Sequence, residues 1–144
     1  MEKSIRIAGF IGDTGFQIRQ IQRNGADIVV GYTIFLKTLL NPGDEVIAFA
    51  PYFGEYRSYT NNYDGVMVEI SPNTVDFQPK LDEFEAKITP KTKIVIVNTP
   101  NNPTGVVYSE ETIRKLASIM EAKQKEFGTE IYLVSDEPYR ELAY

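Results

Sequence analysis

Five short apolar runs constrain this 144-residue chain more than any other feature. They are DIVV (Asp27–Val30), EVIAFA (Glu45–Ala50), VMVEI (Val66–Ile70), KIVIVN (Lys93–Asn98) and IYLVS (Ile131–Ser135). Most are apolar almost throughout, where a strand with one wet face would alternate apolar and polar residues. Near-continuous apolar, β-branched runs suit parallel strands covered on both faces. Between them lie helical patterns. In EETIRKLASIMEAKQKEF, Ile113, Leu116, Ile119 and Met120 recur at helical spacing. Ser109 can cap its start, Glu110 and Glu111 suit the positive end of the dipole, and Lys123 and Lys125 suit the negative end. Gly128 supplies a stop. TIFLKTLL, ahead of the breaker NPGD, predicts a second helix, and GEYRSYTNNYD and KLDEFEAKI predict two more. Strands alternating with helices, without tight hairpin dipeptides, predict an α/β fold: a doubly wound, mainly parallel sheet of about five strands with helices on both faces. The length suits one domain spanning residues 1–144.

Composition narrows the chemistry. A net charge of -5, with no cluster of Lys or Arg, argues against a nucleic-acid surface. No apolar run approaches the length of a membrane span, and MEKSIRIAG lacks the apolar region of a secretory leader, so a cytoplasmic protein is expected. Cysteine and histidine are both absent, which removes disulfides, thiolate chemistry, His-based triads and ordinary zinc sites. Any chemistry must come from carboxylates, amines, phenols, hydroxyls or a borrowed cofactor.

Three unusual segments each follow a predicted strand directly. PYF (Pro51–Phe53) follows Glu45–Ala50, TPNNPTG follows Lys93–Asn98, and DEPY (Asp136–Tyr139) follows Ile131–Ser135. In an open parallel sheet, ligands bind beyond the carboxyl ends of the strands, so all three would crowd one rim. Taken singly, each is an ordinary strand-ending turn, because Pro, Asn and Gly mark turns everywhere. Together they offer an aromatic plate, an amide, a carboxylate and a phenol, a set suited to a flat heteroaromatic ligand.

At these residues a family resemblance emerges. NPGDEVIAFAPYFGEY, VIVNTPNNPTGVVYSEETIRKLA and IYLVSDEPYRELAY resemble, in order, the central stretch of the class I/II aminotransferases, which are fold type I pyridoxal-phosphate enzymes. The likeness runs from about Leu39 to Tyr144. It implies pyridoxal 5'-phosphate as cofactor and amino-group transfer between an amino acid and a 2-oxo acid. It also implies roles. Asn102 would hydrogen-bond the phenolic oxygen of the pyridoxal ring, Tyr139 would donate to the same oxygen, Asp136 would face the pyridine nitrogen, and Phe53 would stack on the ring. The residue types suit those tasks. A carboxylate favours the protonated ring nitrogen, through a charge-assisted bond contributing roughly 1.5–3 kcal/mol. The plainer alternatives stay open: Asp136 as a turn cap, Tyr139 and Phe53 as core packing.

Residues 41–144 read as the family-like core and residues 1–40 as an altered N-terminal part. The family's cofactor-bearing lysine comes after the aspartate–tyrosine motif at a distance not reached by Tyr144, and none of the nine lysines has motif support as a substitute. No catalytic residue is therefore assigned, and negligible transamination is expected of these 144 residues. The alternative is a non-catalytic, truncated or engineered α/β scaffold without a selected ligand. The family's phosphate-cradling turn is shortened here to Gly31, Tyr32 and Thr33, which could offer amides and a hydroxyl to an anion or form a plain tight turn. By resemblance, Ile131–Ser135, Lys93–Asn98, Glu45–Ala50 and Val66–Ile70 lie side by side in that order, with the switch point between the middle two. Asp27–Val30 is expected to pair beside Ile131–Ser135. Otherwise that edge stays open and recruits another chain.

Overall fold

The computed structural model describes residues 4–10, 16–22 and 27–136, with side chains from Tyr32 onward. The elements in chain order are β1 (Ser4–Phe10), β2 (Phe16–Gln22), α1 (Asp27–Leu39), β3 (Glu45–Phe49), α2 (Glu55–Asn61), β4 (Val66–Ile70), α3 (Leu81–Lys87), β5 (Thr92–Asn98), α4 (Glu110–Phe127) and β6 (Tyr132–Asp136). They build one six-stranded sheet of order β2-β1-β6-β5-β3-β4. The last four strands of that order are mutually parallel, as expected of their apolar runs. Chain connections diverge between β5 and β3, at the expected switch point.

Alternate residues of the central strands feed two separate cores. Ile47, Phe49, Val95, Val97 and Leu133 pack with Phe84 of α3 and Leu116 and Met120 of α4. Val46, Ile94, Ile96 and Val134 face the other way, onto Tyr32 and Leu36 of α1 and Tyr56 of α2. Two-sided burial explains why these strands carry apolar side chains at successive positions. Helix α4 begins as expected, with the Ser109 side chain accepting the Thr112 amide at 3.1 Å. It ends at Gly128 in the left-handed conformation, φ +66°.

Two expectations are corrected. Asp27–Val30 is the first turn of α1, not a strand. A four-residue apolar run is equally at home in a buried helix, and here the next residues along the chain decide between the two. Tyr32 and Leu36, four apart, are buried, whereas Ile34 between them is 58% exposed. An alternating strand would put all three on one face, and only a helix separates Ile34 from its neighbours. The place beside β6 is taken instead by β1, antiparallel, with Ile5 opposite Asp136 and Gly9 opposite Tyr132. β1 pairs in turn with β2. The β6 edge is therefore covered within the chain. The SIRI of β1 and the FQIR of β2 alternate polar and apolar residues, a strand pattern that sequence reasoning passed over.

Candidate functional site

Because β3, β5 and β6 are parallel neighbours, their carboxyl ends share one rim. Phe53 follows β3, Asn102 follows β5, and Asp136 is the last residue of β6. The peptides Ala50–Pro51, Thr99–Pro100 and Asn102–Pro103 are cis. Asn98 ends β5 and is 4% exposed. Its amide nitrogen donates to the Asp136 main-chain oxygen at 2.9 Å, and its amide oxygen accepts from the Asn102 main-chain nitrogen at 2.5 Å. One buried asparagine thus fixes the end of β6 and the start of the Asn-Pro-Thr-Gly loop at once. Asn101 folds that loop on itself, accepting from the Thr104 nitrogen and hydroxyl at 3.2 and 2.8 Å. Gly105 closes it at φ +76°, and its amide donates to the Asn101 main-chain oxygen at 2.7 Å. Thr99 Oγ1 then receives the Tyr108 amide at 2.9 Å. The concentration of turn residues after β5 serves to tie the main chain of Asn102 back to Asn98, which also bonds the Asp136 main chain.

Asp136 also meets the segment after β3. The Tyr56 hydroxyl, from the first turn of α2, donates to Asp136 Oδ2 at 2.5 Å. Tyr56 is 3% exposed. Its burial, and then the adjacent carboxylate, push its ionisation far above that of an ordinary phenol, so it remains a donor. Phe53 meets the Tyr56 ring edge-on, with centroids 5.7 Å apart, and Tyr52 lies nearly parallel to it at 6.2 Å. Phe53 itself is 37% exposed, so its ring is open to contact from outside. On the α1 side, Tyr32 packs 5.7 Å from Tyr56 and 5.6 Å from Tyr59. Among the described residues, the buried Tyr32 hydroxyl has no hydrogen-bond partner. At the outer lip, Arg57 donates to Tyr52 Oη and Glu69 Oε2 at 2.9 and 3.0 Å, and Tyr52 donates to the same carboxylate.

The structure therefore connects three of the four predicted residues at one rim: Asn102 and Asp136 through Asn98, and Phe53 and Asp136 through Tyr56. Tyr139 lies outside the described residues. Sequence reasoning missed the connectors. Asn98 carried a signal, as the lone polar residue closing an apolar run, and so did Tyr56, a third aromatic after PYF. Tyr32 carried one only as part of a suspected turn.

That turn is a correction. Gly31, Tyr32 and Thr33 lie inside α1, where main-chain amides are committed to helical bonds, so they form neither a tight turn nor an anion cradle. For a pyridine-type cofactor the fit is thus divided. Asp136 and Asn102 offer an acceptor and a loop amide group at one rim, which suits the ring, whereas Gly31 to Thr33, weighed as an anion site or a plain turn, sit in a helix and offer the phosphate no cradle. Among the described residues no group of three or more His, Cys, Asp or Glu could hold a metal, and no helix is long and apolar enough to cross a membrane.

The family model for aminotransferase class I and II matches residues 19–144. The chain belongs to that family. Membership accounts for the shared rim and implies pyridoxal phosphate as cofactor. The chain is 46% identical over 109 residues to a probable aspartate/prephenate aminotransferase of Thermus aquaticus, covering 75% of this chain and 27% of that protein. Among solved structures, an aminotransferase from Eubacterium rectale superposes with a TM-score of 0.76 at 45% identity, covering 78% of this chain and 28% of the other. The Thermus thermophilus aspartate aminotransferase with maleate gives 0.72 at 37%, covering 79% and 28%. The chain spans little more than a quarter of the length of these relatives.

Proposed function

We propose that the rim formed by β3, β5 and β6 is the ring-binding part of a pyridoxal-phosphate aminotransferase, acting between an amino acid and a 2-oxo acid. One observation carries the reading: Asn98, at the end of β5, bonds to main-chain atoms of both Asp136, the last residue of β6, and Asn102, in the loop that follows β5. In this reading Asp136 accepts the ring N–H and Asn102 donates to the phenolic oxygen. Phe53 covers the ring face, and Tyr139 joins Asn102 at the phenolic oxygen. Bound there, the cofactor supplies an electron-withdrawing ring that eases removal of a proton next to the amino group. Asp136 keeps that ring protonated, and the buried Tyr56 ring beside it shields the carboxylate from water. Residues 41–144 carry these roles.

We further propose that these 144 residues on their own bind the ring without turnover, because no lysine among them holds the family's motif position. Titration with pyridoxal phosphate, monitored by visible absorption, tests both statements. Saturable binding is expected, weakened about ten- to a hundredfold in Asp136→Ala by loss of a charge-assisted bond. Conversion of an oxo acid at enzyme-like rates would overturn the inactivity. The helical state of Gly31 to Thr33 favours a second reading, a scaffold without a selected ligand. A titration with no saturable signal would establish that reading in place of the first.

A further inference from the structure

Three phenols meet below the rim, and two of them have partners. Tyr56 gives its proton to Asp136, Tyr59 gives its own to Glu55, and Tyr32, packed between their rings, gives its proton to no described residue. Tyr32 is 4% exposed and Tyr56 3%. Solvent therefore reaches neither hydroxyl well, and an unpaired buried donor is a standing cost to the fold.

A ligand N–H directed at Asp136 Oδ2, the oxygen that Tyr56 holds, competes with the Tyr56 hydroxyl. A protonated ring nitrogen is the stronger donor, since a charge-assisted bond to a carboxylate is roughly twice as strong as a neutral one. Tyr56, displaced and buried, then needs an acceptor. Tyr32 Oη is a buried oxygen without a partner among the described residues, on a ring whose centroid lies 5.7 Å from that of Tyr56 and is inclined to it by 37°. Glu55 is already engaged by Tyr59, and Glu69 by Tyr52 and Arg57.

We propose that Tyr32 is a positioning residue for cationic ring ligands: it receives the Tyr56 hydroxyl when a pyridinium N–H takes its place on Asp136. No proton changes owner, because Tyr56 remains a phenol and exchanges one acceptor for another. The handover lowers the cost of ligand entry by keeping Tyr56 paired before and after. It also accounts for an otherwise wasted buried hydroxyl. The inference rests on the proposed placement of the ring nitrogen at Asp136.

The test uses the 144-residue chain and pyridoxine, which keeps the pyridine ring but lacks aldehyde and phosphate. Calorimetric titration is run on the wild type and on Tyr32→Phe, Tyr56→Phe, the double variant and Asp136→Ala, with thermal melting of each ligand-free protein. Tyr32→Phe should melt at the same temperature or higher, and its affinity for pyridoxine should fall roughly fivefold, the worth of one neutral hydrogen bond. In the Tyr56→Phe background the same change should have no effect on affinity. m-Cresol, which lacks the ring nitrogen, should show no dependence on Tyr32. Equal losses with and without Tyr56 would mean direct contact with the ligand and overturn the handover. So would a lower melting point in Tyr32→Phe, or unaltered pyridoxine binding that still depends on Asp136. If the wild type does not bind pyridoxine, or binds it equally well as Asp136→Ala, the ring-nitrogen placement falls and this inference with it.

Discussion

Alkali should unfold this chain through its buried phenols. Tyr32, Tyr56 and Tyr108 are 4%, 3% and 7% exposed. Burial pushes the Tyr108 phenol up to about 12, partly offset by its hydrogen bond with Asn101. Tyr32 and Tyr56 are pushed higher still, by burial first and then by the charge of Asp136. In the unfolded chain all three titrate near 10. A group whose pKa is raised by folding contributes its full stability below the unfolded value and loses it as pH climbs toward the folded one. Between about pH 10 and 12, the unfolded state therefore sheds three protons that the folded state keeps, a slope of about 4 kcal/mol per pH unit. Two units remove about 8 kcal/mol, within the ~5–15 kcal/mol that holds a typical domain together. Cooperative unfolding is expected at roughly pH 11–12, with tyrosinate absorbance and loss of far-ultraviolet circular dichroism rising together. Tyr56→Phe removes one of the three protons and flattens the slope by a third. It also lowers stability at neutral pH by about 1.5–3 kcal/mol, because Asp136 loses a donor. A single uncooperative absorbance step near pH 10, with the dichroism intact, would refute the reasoning.

At the acid end, Glu83 takes the lead. Its pairing with Lys87 and its bonds from the Ser71 amide and hydroxyl hold its carboxyl at about 2. A depressed carboxyl contributes stability above its ordinary value near 4.5 and loses it as pH falls toward 2. Glu83→Gln should therefore flatten the fall in urea midpoint across that window, and parallel acid limbs in the two proteins would count against it. Elsewhere, Gly65→Ala should lower stability by about 1–3 kcal/mol in thermal melting. A Cβ there would stand 2.9 Å from Thr60 Cγ2, 3.0 Å from Leu40 Cδ1 and 3.2 Å from the Thr60 main-chain oxygen, which accepts from the Tyr63 and Gly65 amides. An unchanged melting temperature would show that the turn yields freely.

The parallel half of the sheet was legible because each central strand faces two helical layers. Ile94 to Val97 must be apolar at every position, and four such residues cannot be mistaken for a surface strand. Asp27–Val30 carried the same local signature without the same meaning. Its identity was set several residues downstream, by the contrast between the buried Tyr32 and Leu36 and the exposed Ile34. The antiparallel pair β1 and β2 went unread for the opposite reason: its alternation is short, and the strand it joins, β6, is remote along the chain. At the rim, sequence pattern supplied Asn102, Asp136 and Phe53. The bonds that join them belong to Asn98 and Tyr56, whose importance depends on a separation of 38 or 80 residues closing in space. Local pattern does not encode such closures.

The antiparallel seam between β1 and β6 has a temporal consequence. Ile5 sits opposite Asp136, so the first described strand of the polypeptide is zipped to the last described one. At a synthesis rate of roughly 5–20 residues per second, Ile5 waits on the order of ten seconds for its partner to exist. During that interval its row of main-chain donors and acceptors has no mate on that side, and a nascent sheet edge invites other chains. Asp136, the carboxylate on which the rim converges, is thus among the last groups of this sheet to be seated. A newborn molecule completes this rim only when two segments made far apart in time have found each other.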